Sequence, residues 1–311
     1  MSSFRWTEDH AKAFSEYHII TKGRSTTAAE KYCRIARMFF TWATAEGMPL
    51  TRDTVEHWMR HLAIRCDNRS NATRASRLSS LRSVCKWLVE IGHLEANPCE
   101  GVPTPKFSKA AAQKFSPAEL TALFADPGDN KAISLRDRCI LMLFYATGMR
   151  RNEVATLTLD RITLATRTGR VHVIGKGAKH RTISFEGPLV HLLKTWLVVR
   201  AQFAHSDEKH LFIALHGFNA GRAIGNGGLH KTIKRAGSRM GLPDNTVFLH
   251  KLRSTYATDL YDSGGIEVKN ISMLMGHAST DTTWGYIAIS ERHLQRNRIK
   301  TNKWEQLGVA G

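Results

Sequence analysis

Apolar side chains along the first hundred residues recur at the spacing of one helix face. Tyr32, Ile35, Phe39 and Trp42 fall at i, i+3, i+7 and i+10, a single stripe on a helix of about 3.6 residues per turn. Asp53 and Glu56 form a D-x-x-E start ahead of Val55, Met59 and Leu62, which predicts a second helix. A third begins near Asn71, aligns Leu78, Leu81, Cys85 and Leu88 with Arg74, Arg77 and Arg82 nearby, and ends before Gly92. Together they predict a small helical domain over residues 1–105. The period stops in Gly101-Val-Pro-Thr-Pro-Lys-Phe-Ser-Lys-Ala-Ala-Ala-Gln-Lys114, whose two prolines and three lysines read as an extended stretch. A linker is therefore expected over residues 106–115.

Ser116-Pro117-Ala118-Glu119 then supplies an N-cap, a first-turn proline and an N3 carboxylate, so a second domain is expected over residues 116–311. Leu135 to Ala146 reads as a buried helix closing on Gly148, followed by a short helix from Asn152 to Leu159. From Arg161 to Phe185 the period changes: Thr, Val and Ile dominate, with turn signals at Thr168-Gly169 and Gly175-Lys-Gly-Ala178, which predicts a small antiparallel sheet. Helices return from Leu189, interrupted at Gly225 to Gly228, at Pro243 and at Gly264-Gly265. The expected fold class is mainly α with a small antiparallel β-sheet: an N-terminal helical domain and a C-terminal α+β domain.

Charge adds a partner. The chain holds 45 Lys and Arg against 27 Asp and Glu, a net charge of +18, and such an excess points to a polyanion, nucleic acid first. Residues 1–105 carry 15 basic and 11 acidic side chains, residues 106–311 carry 30 and 16, so most of the excess lies after the linker. The longest nearly apolar run, Cys139 to Met149, contains Thr147 and Gly148 and is too short to span a bilayer. Met1 to His10 carries Arg5, Glu8 and Asp9 with no apolar stretch, so a cytosolic protein is expected. The scattered Cys33, Cys66, Cys85, Cys99 and Cys139 fit buried thiols better than disulfides or a zinc site. Gly221 to Gly228 is glycine-rich but lacks the Lys and hydroxyl of a phosphate loop, and no cofactor is expected.

Four polar pieces stand at element ends in the basic domain. Thr147-Gly148-Met149-Arg150-Arg151-Asn152-Glu153 crosses a helix end, where an Arg alone would only complement the dipole. His250-Lys251-Leu252-Arg253 places an imidazole and a guanidinium three residues apart on one helix face, suited to two oxygens of one phosphate. In Met275-Gly276-His277-Ala278-Ser279-Thr280-Asp281-Thr282-Thr283-Trp284-Gly285-Tyr286, Gly276 ends a helix and Ser279 or Thr280 can cap the next, leaving Tyr286 near its far end. Taken alone, Trp284 and Tyr286 would read as core aromatics. Ile174-Gly175-Lys176-Gly177-Ala178-Lys179-His180-Arg181 is a basic hairpin whose glycines free Lys176 to reach past the loop.

In their order and internal spacing these pieces resemble the tyrosine recombinase family, the phage-integrase group. The resemblance covers roughly residues 116–300 and rests on the T-G-x-R-x-x-E box, the G-K-G hairpin, H-x-L-R followed by T-x-A-T, and G-H with a Tyr nine positions after the His. It implies a catalytic domain preceded by a helical, SAM-like core-binding domain, which residues 1–105 match in size, position and helix content. It implies that Tyr286 attacks the scissile phosphate and forms a 3′-phosphotyrosyl link, releasing a 5′-hydroxyl, while Arg150 and Arg253 clamp the non-bridging oxygens and His277 donates a further hydrogen bond. The T-G-x-R frame selects Arg150 over Arg151. A phenol ordinarily ionises near ~10, so proton transfer is needed; His250 is the candidate base and Lys176 the candidate acid for the leaving oxygen. Glu153 is expected to buttress its helix, and Lys179 and Arg181 either assist Lys176 or contact the DNA backbone.

Because the covalent link keeps the phosphodiester energy, rejoining needs neither ATP nor metal. The resemblance also implies a homodimer on each core site of double-stranded DNA, a homotetramer in the synapse, room for accessory DNA-bending proteins, and a cytoplasmic protein that sits on the nucleoid when bound. The tail from Ser290 to Trp304 then packs either on a neighbouring subunit or on its own domain. The rivals are a non-cleaving architectural or regulatory DNA-binding protein, opposed by the complete set of catalytic groups, and a strand-relaxing or telomere-resolving enzyme, opposed by the compact length.

Overall fold

The computed structural model describes residues 4–64, 70–107, 113–129, 131–175, 180–241, 249–263, 266–277 and 279–287. The chain forms two compact units, Met1–Lys109 and Ala110–Gly311. In the first, α1 (Glu8–Glu16) runs into a π-helical turn (Tyr17–Thr21) and is followed by α2 (Thr26–Ala45), α3 (Arg52–Ile64) and α4 (Asn71–Glu90). Ser25 and Ser70 cap α2 and α4 by accepting from Ala28 N and Thr73 N. The residues picked out by period face one another: Phe39, Val55, Leu78, Leu81, Cys85 and Leu88 are wholly buried, each large apolar side chain contributing about 1.5–3 kcal/mol. The edge of Trp58 meets the Phe39 ring at 5.2 Å. One expectation needs correcting. α3 starts at Arg52, ahead of the D-x-x-E pair, because Thr51 Oγ1 accepts from Thr54 N and Glu56 is drawn into an ion pair with Arg52.

The described part of the second unit comprises α5 (Pro117–Phe124), α6 (Ala132–Thr147), α7 (Arg151–Ala155), β1 (Ile162–Leu164), β2 (Thr168–Ile174), β3 (His180–Glu186), α8 (Pro188–Ala201), α9 (Gly225–Arg239), α10 (Leu249–Asp262), α11 (Val268–Met275) and α12 (Thr280–Trp284). The Ser116–Glu119 capping box starts α5 as expected. α6 is the central rod, packed against α8, α9 and α10, with Ile140, Leu141, Leu143 and Phe144 buried. The sheet is antiparallel in the order β1-β2-β3, with Val171 opposite both Ile162 and Ile183. Its inner face, Val171, Val173, Ile183 and Phe185, closes the same core.

Four local expectations are corrected here. Gly169 lies inside β2, not in a turn; the Phe185 ring would come within 2.3 Å of a Cβ there, so the glycine makes room for cross-strand packing. Gly225 to Gly228 opens α9 where a break was expected, and a Cβ on Gly228 would come within 2.4 Å of Ile224. The helix expected over Asn152–Leu159 ends at Ala155, because the backbone leaves to bond with residues 209–211: Leu211 N donates to Leu157 O at 2.7 Å and Leu159 N to Lys209 O at 2.9 Å. The stretch after α8 is likewise not helical, its carbonyls being held by Trp196 Nε1 and Arg200. Cys33, Cys85, Cys99 and Cys139 are buried free thiols. Cys66, Pro243, Gly264, Gly265 and the tail from Ser290 lie outside the described residues.

Candidate active site

Two helix ends frame the polar cluster. α6 and α11 both close on left-handed glycines, Gly148 (φ 56°) and Gly276 (φ 66°), leaving last-turn carbonyls without helical partners. Guanidiniums satisfy them. Arg253, on α10, donates to Gly148 O and, at 2.7 Å, to Met275 O. Arg150, immediately ahead of α7, donates to Gly276 O at 2.7 Å. The negative ends of the two helix dipoles thus favour the cations they hold. Gly148 is also a steric necessity, since a Cβ there would lie 2.2 Å from the Tyr256 ring, while a Cβ at Gly276 would push on the Arg181 guanidinium at 2.7 Å.

Glu153 ties three elements together. Its carboxylate accepts from Arg150 N at 2.7 Å and Arg150 Nη1 at 3.1 Å, and takes a two-pronged bond from Arg181 of β3 at 3.0 and 2.7 Å. Arg181 Nε donates onward to Leu274 O at 2.8 Å, fixing β3 to α11. Burial would lift the Glu153 carboxyl, but these bonds outweigh it and hold the group below its usual value. The buttressing expected of Glu153 is therefore directed at two guanidiniums. Arg253 is only 1% exposed. Its burial, then the charge of Arg150, lowers its pKa to about 10, which leaves it charged at neutral pH. Its Nε has no hydrogen-bond partner among the described residues.

The remaining groups come from α10 and the segment after α11. His277 Nε2 lies 2.8 Å from Arg253 Nη2, and its Nδ1 lies 2.8 Å from Thr283 Oγ1. Burial first, then the charges of Arg253, Arg150 and Arg181, push its pKa down to about 4. Tyr286 stands two residues beyond the end of α12, with its hydroxyl 3.3 Å from His250 Nδ1. Its ring is stacked on His277 at 5.1 Å and lies 5.3 Å from the Arg253 guanidinium carbon. His250 is also held below its usual value, by lost hydration and the nearby Arg253, Arg151 and Arg150. Trp284, expected in the core if read alone, is 47% exposed and meets Tyr261 edge-on.

Arg150, His250, Arg253, His277, Tyr286 and Glu153 thus share one site, whereas Lys176 lies outside the described residues. Three guanidiniums facing one carboxylate leave the cluster positive, suited to an anion with several oxygens. Sequence reasoning left Arg181 between two roles and did not single out Thr283. Arg181 did carry a signal: two residues before Ile183 and four before Phe185, it falls on the apolar face of β3. Among the described residues no group of three or more His, Cys, Asp or Glu is placed to hold a metal ion, and no helix is long and apolar enough to cross a membrane.

Residues 113–293 match the phage integrase family, and residues 11–92 match the N-terminal SAM-like domain of phage integrases. The chain belongs to the phage integrase family of tyrosine recombinases. It is 31% identical over 283 residues to the tyrosine recombinase XerC of Salmonella typhi, covering 90% of this chain and 91% of the relative. To XerC of Haemophilus influenzae (strain PittEE) it is 34% identical over 220 residues, 71% of each chain. The fold is that of XerH site-specific recombinase bound to difH substrate in a pre-cleavage complex, with a TM-score of 0.69, 18% identity and coverage of 90% of this chain and 82% of that one. It is also that of a lambda integrase dimer bound to a COC′ core site, with a TM-score of 0.65, 15% identity and coverage of 94% and 97%. As a tyrosine recombinase, the chain is an enzyme of site-specific DNA recombination, which cleaves and rejoins DNA strands. The predicted combination of a helical SAM-like domain with a mainly helical catalytic domain carrying a small sheet agrees with this membership.

Proposed function

We propose that Tyr286 is the nucleophile of this recombinase. The observation that carries the proposal is the meeting of its hydroxyl with His250, and of its ring with His277 and Arg253. His250 takes the phenolic proton as the tyrosine oxygen attacks phosphorus. The bond from phosphorus to the 5′-oxygen breaks, Lys176 supplies the proton for the departing 5′-hydroxyl, and the 3′-phosphate stays on Tyr286. Rejoining is the reverse, with a 5′-hydroxyl attacking the phosphotyrosine, so no high-energy cofactor is consumed. Arg150 and Arg253 hold the non-bridging oxygens, on which charge collects in the transition state. The unpartnered Nε of Arg253 supports this role, since a buried donor without a partner favours an arriving acceptor. Glu153 fixes the first guanidinium in place.

The substrate is double-stranded DNA with paired core sites. Residues 1–105 and 116–311 serve as core-binding and catalytic domains joined by 106–115, and the chain works in the cytoplasm on nucleoid DNA. A dimer on each site, a tetramer in the synapse and accessory DNA-bending proteins belong to the same reading. The dimeric and tetrameric states are supported by the lambda integrase structures, a dimer on a core site and a tetramer on a Holliday junction. Integration, excision and resolution draw on the same site chemistry, and the DNA flanking the gene distinguishes them.

Nicked suicide duplexes carrying core sequences test the proposal on a denaturing gel. The wild-type chain should form a covalent adduct, and Tyr286→Phe should lose it while still binding DNA. An adduct persisting in Tyr286→Phe would identify another nucleophile, and no wild-type adduct on any bound site would favour a non-cleaving DNA-binding role.

A further inference from the structure

Thr283 is buried completely on α12, and its two polar ends face different parts of the site. Its carbonyl accepts from Tyr286 N at 2.8 Å and Ile287 N at 3.2 Å, while its hydroxyl meets His277 Nδ1 at 2.8 Å. The direction of that last bond follows from the other side of the ring. Arg253 Nη2, 2.8 Å from His277 Nε2, has hydrogens and no acceptor lone pair. Nε2 is therefore the accepting nitrogen, Nδ1 carries the hydrogen, and Thr283 Oγ1 accepts it. In that state His277 cannot donate to a phosphate oxygen through Nε2, which is the face turned toward Arg253 and the site.

We propose that Thr283 is a positioning residue for strand cleavage: by accepting from His277 Nδ1–H it commits Nε2 to the scissile phosphate, so that DNA engagement takes up a proton. The inference rests on the roles given above to Arg253, His277 and Tyr286. Charged and titratable groups face His277 from several elements. Arg253 comes from α10, Arg150 from ahead of α7, Arg181 from β3 and Glu153 from α7, and the Tyr286 ring stacks on it, with His250 of α10 meeting that ring in turn. Three positive charges against one carboxylate keep the imidazole neutral in the free protein. An arriving phosphate draws the Arg253 N–H groups to its oxygens and reverses that balance. A proton from water then binds the Nε2 lone pair, and Nε2–H donates to a phosphate oxygen, while the bond from Nδ1–H to Thr283 is unchanged. The proton returns to solvent when the DNA leaves.

The test uses the full chain and a nicked duplex on which the wild type forms its adduct. Binding of that duplex to Tyr286→Phe, measured calorimetrically in buffers of different ionisation enthalpy, should show uptake of about one proton per protomer near neutral pH. Nitrogen-15 spectra of histidine in the free protein should show the Nδ1–H tautomer at His277. Thr283→Val should bind the duplex as the wild type does yet cleave about 10–100-fold more slowly. Wild-type cleavage should decline with rising pH as the proton to be taken up becomes scarcer, and Thr283→Val should lose that decline, because a ring without Thr283 adopts the Nε2–H tautomer with no proton uptake. Thr283→Ser should restore both the rate and the pH profile. A Thr283→Val enzyme with wild-type rate and pH profile, or a wild-type complex that takes up no proton, overturns the inference; the proton count needs no Thr283 variant. Wild-type cleavage by His277→Ala, or an adduct in Tyr286→Phe, would instead overturn the site assignment on which it rests.

Discussion

The core of the first unit and the candidate site of the second both bury large side chains, Phe39 and Leu78 in one and Arg253 in the other, but they are built from opposite materials. Around Leu78, Leu81 and Leu88 the buried surface is apolar, and what is required of each residue is volume at the right helical spacing. Around Arg253 the buried groups are a guanidinium, a carboxylate and backbone carbonyls, and each is tolerable only because the others satisfy it. An apolar core can be repacked at modest cost as long as its volume is kept. A buried charge network has no such slack, because removing one member leaves its partners unpaired. Substitutions in the first region should therefore be read as stability, and those in the second as lost chemistry ahead of lost fold.

The largest effect that would sharpen this contrast is Arg253→Ala, which should slow adduct formation by about a hundred- to a thousand-fold while duplex binding falls far less. Equal losses in cleavage and binding would contradict the transition-state role proposed for it. Next is Leu78→Ala in the apolar core, expected to cost about 2–5 kcal/mol in denaturant unfolding, with near-normal cleavage from the molecules that remain folded. Specific cleavage that dropped as far as stability would break the comparison. Glu153→Gln keeps the shape but removes the charge shared by Arg150 and Arg181. It should cost about 1–3 kcal/mol and slow cleavage by about tenfold or more, a mixed result that the apolar core should never give.

The smallest effect is on the pH dependence of stability. His277 is held at about 4 in the folded chain against an ordinary value of 6.5. Between those values the unfolded chain binds a proton that the folded chain refuses, so stability falls as pH drops from about 6.5 toward 4 and this contribution levels off below. His10 and His18 in the first unit are also held low and add to the same slope. His277→Asn should flatten the slope of melting temperature against pH but leave part of it. An unchanged slope would mean that the imidazole is not shielded as described.

Much of this was legible before any coordinates. Three of the four α-helices of the first unit, α2, α3 and α4, follow from i, i+3 and i+7 patterns, because neighbouring turns of one helix decide that geometry locally, whereas α1 was not read from the sequence. The polar groups of the second unit were legible for another reason: four short motifs carried them in a recognisable order. The errors share a cause as well. Gly169 and Gly228 looked like breaks, yet they make room for Phe185 and Ile224, which the local sequence does not bring into contact. The helix after Gly148 looked longer than it is because the segment at 209–211 that captures its end lies far along the chain.

What the sequence determined by itself was the kind of most elements, their order and the set of candidate side chains for the site. Helical period, caps and motif spacing act over a few residues, where backbone geometry and local hydrogen bonds dominate. Only the tertiary structure decided which carbonyls hold Arg150 and Arg253, that Arg181 shares Glu153 with Arg150, and that His277 leans on Thr283 with Nε2 turned to the site. Those contacts join α6, α7, β3, α10 and α11, and their geometry exists only once the apolar core beneath has set the distances. A few tenths of an ångström there decide whether a guanidinium is satisfied or stranded, and no local pattern encodes that.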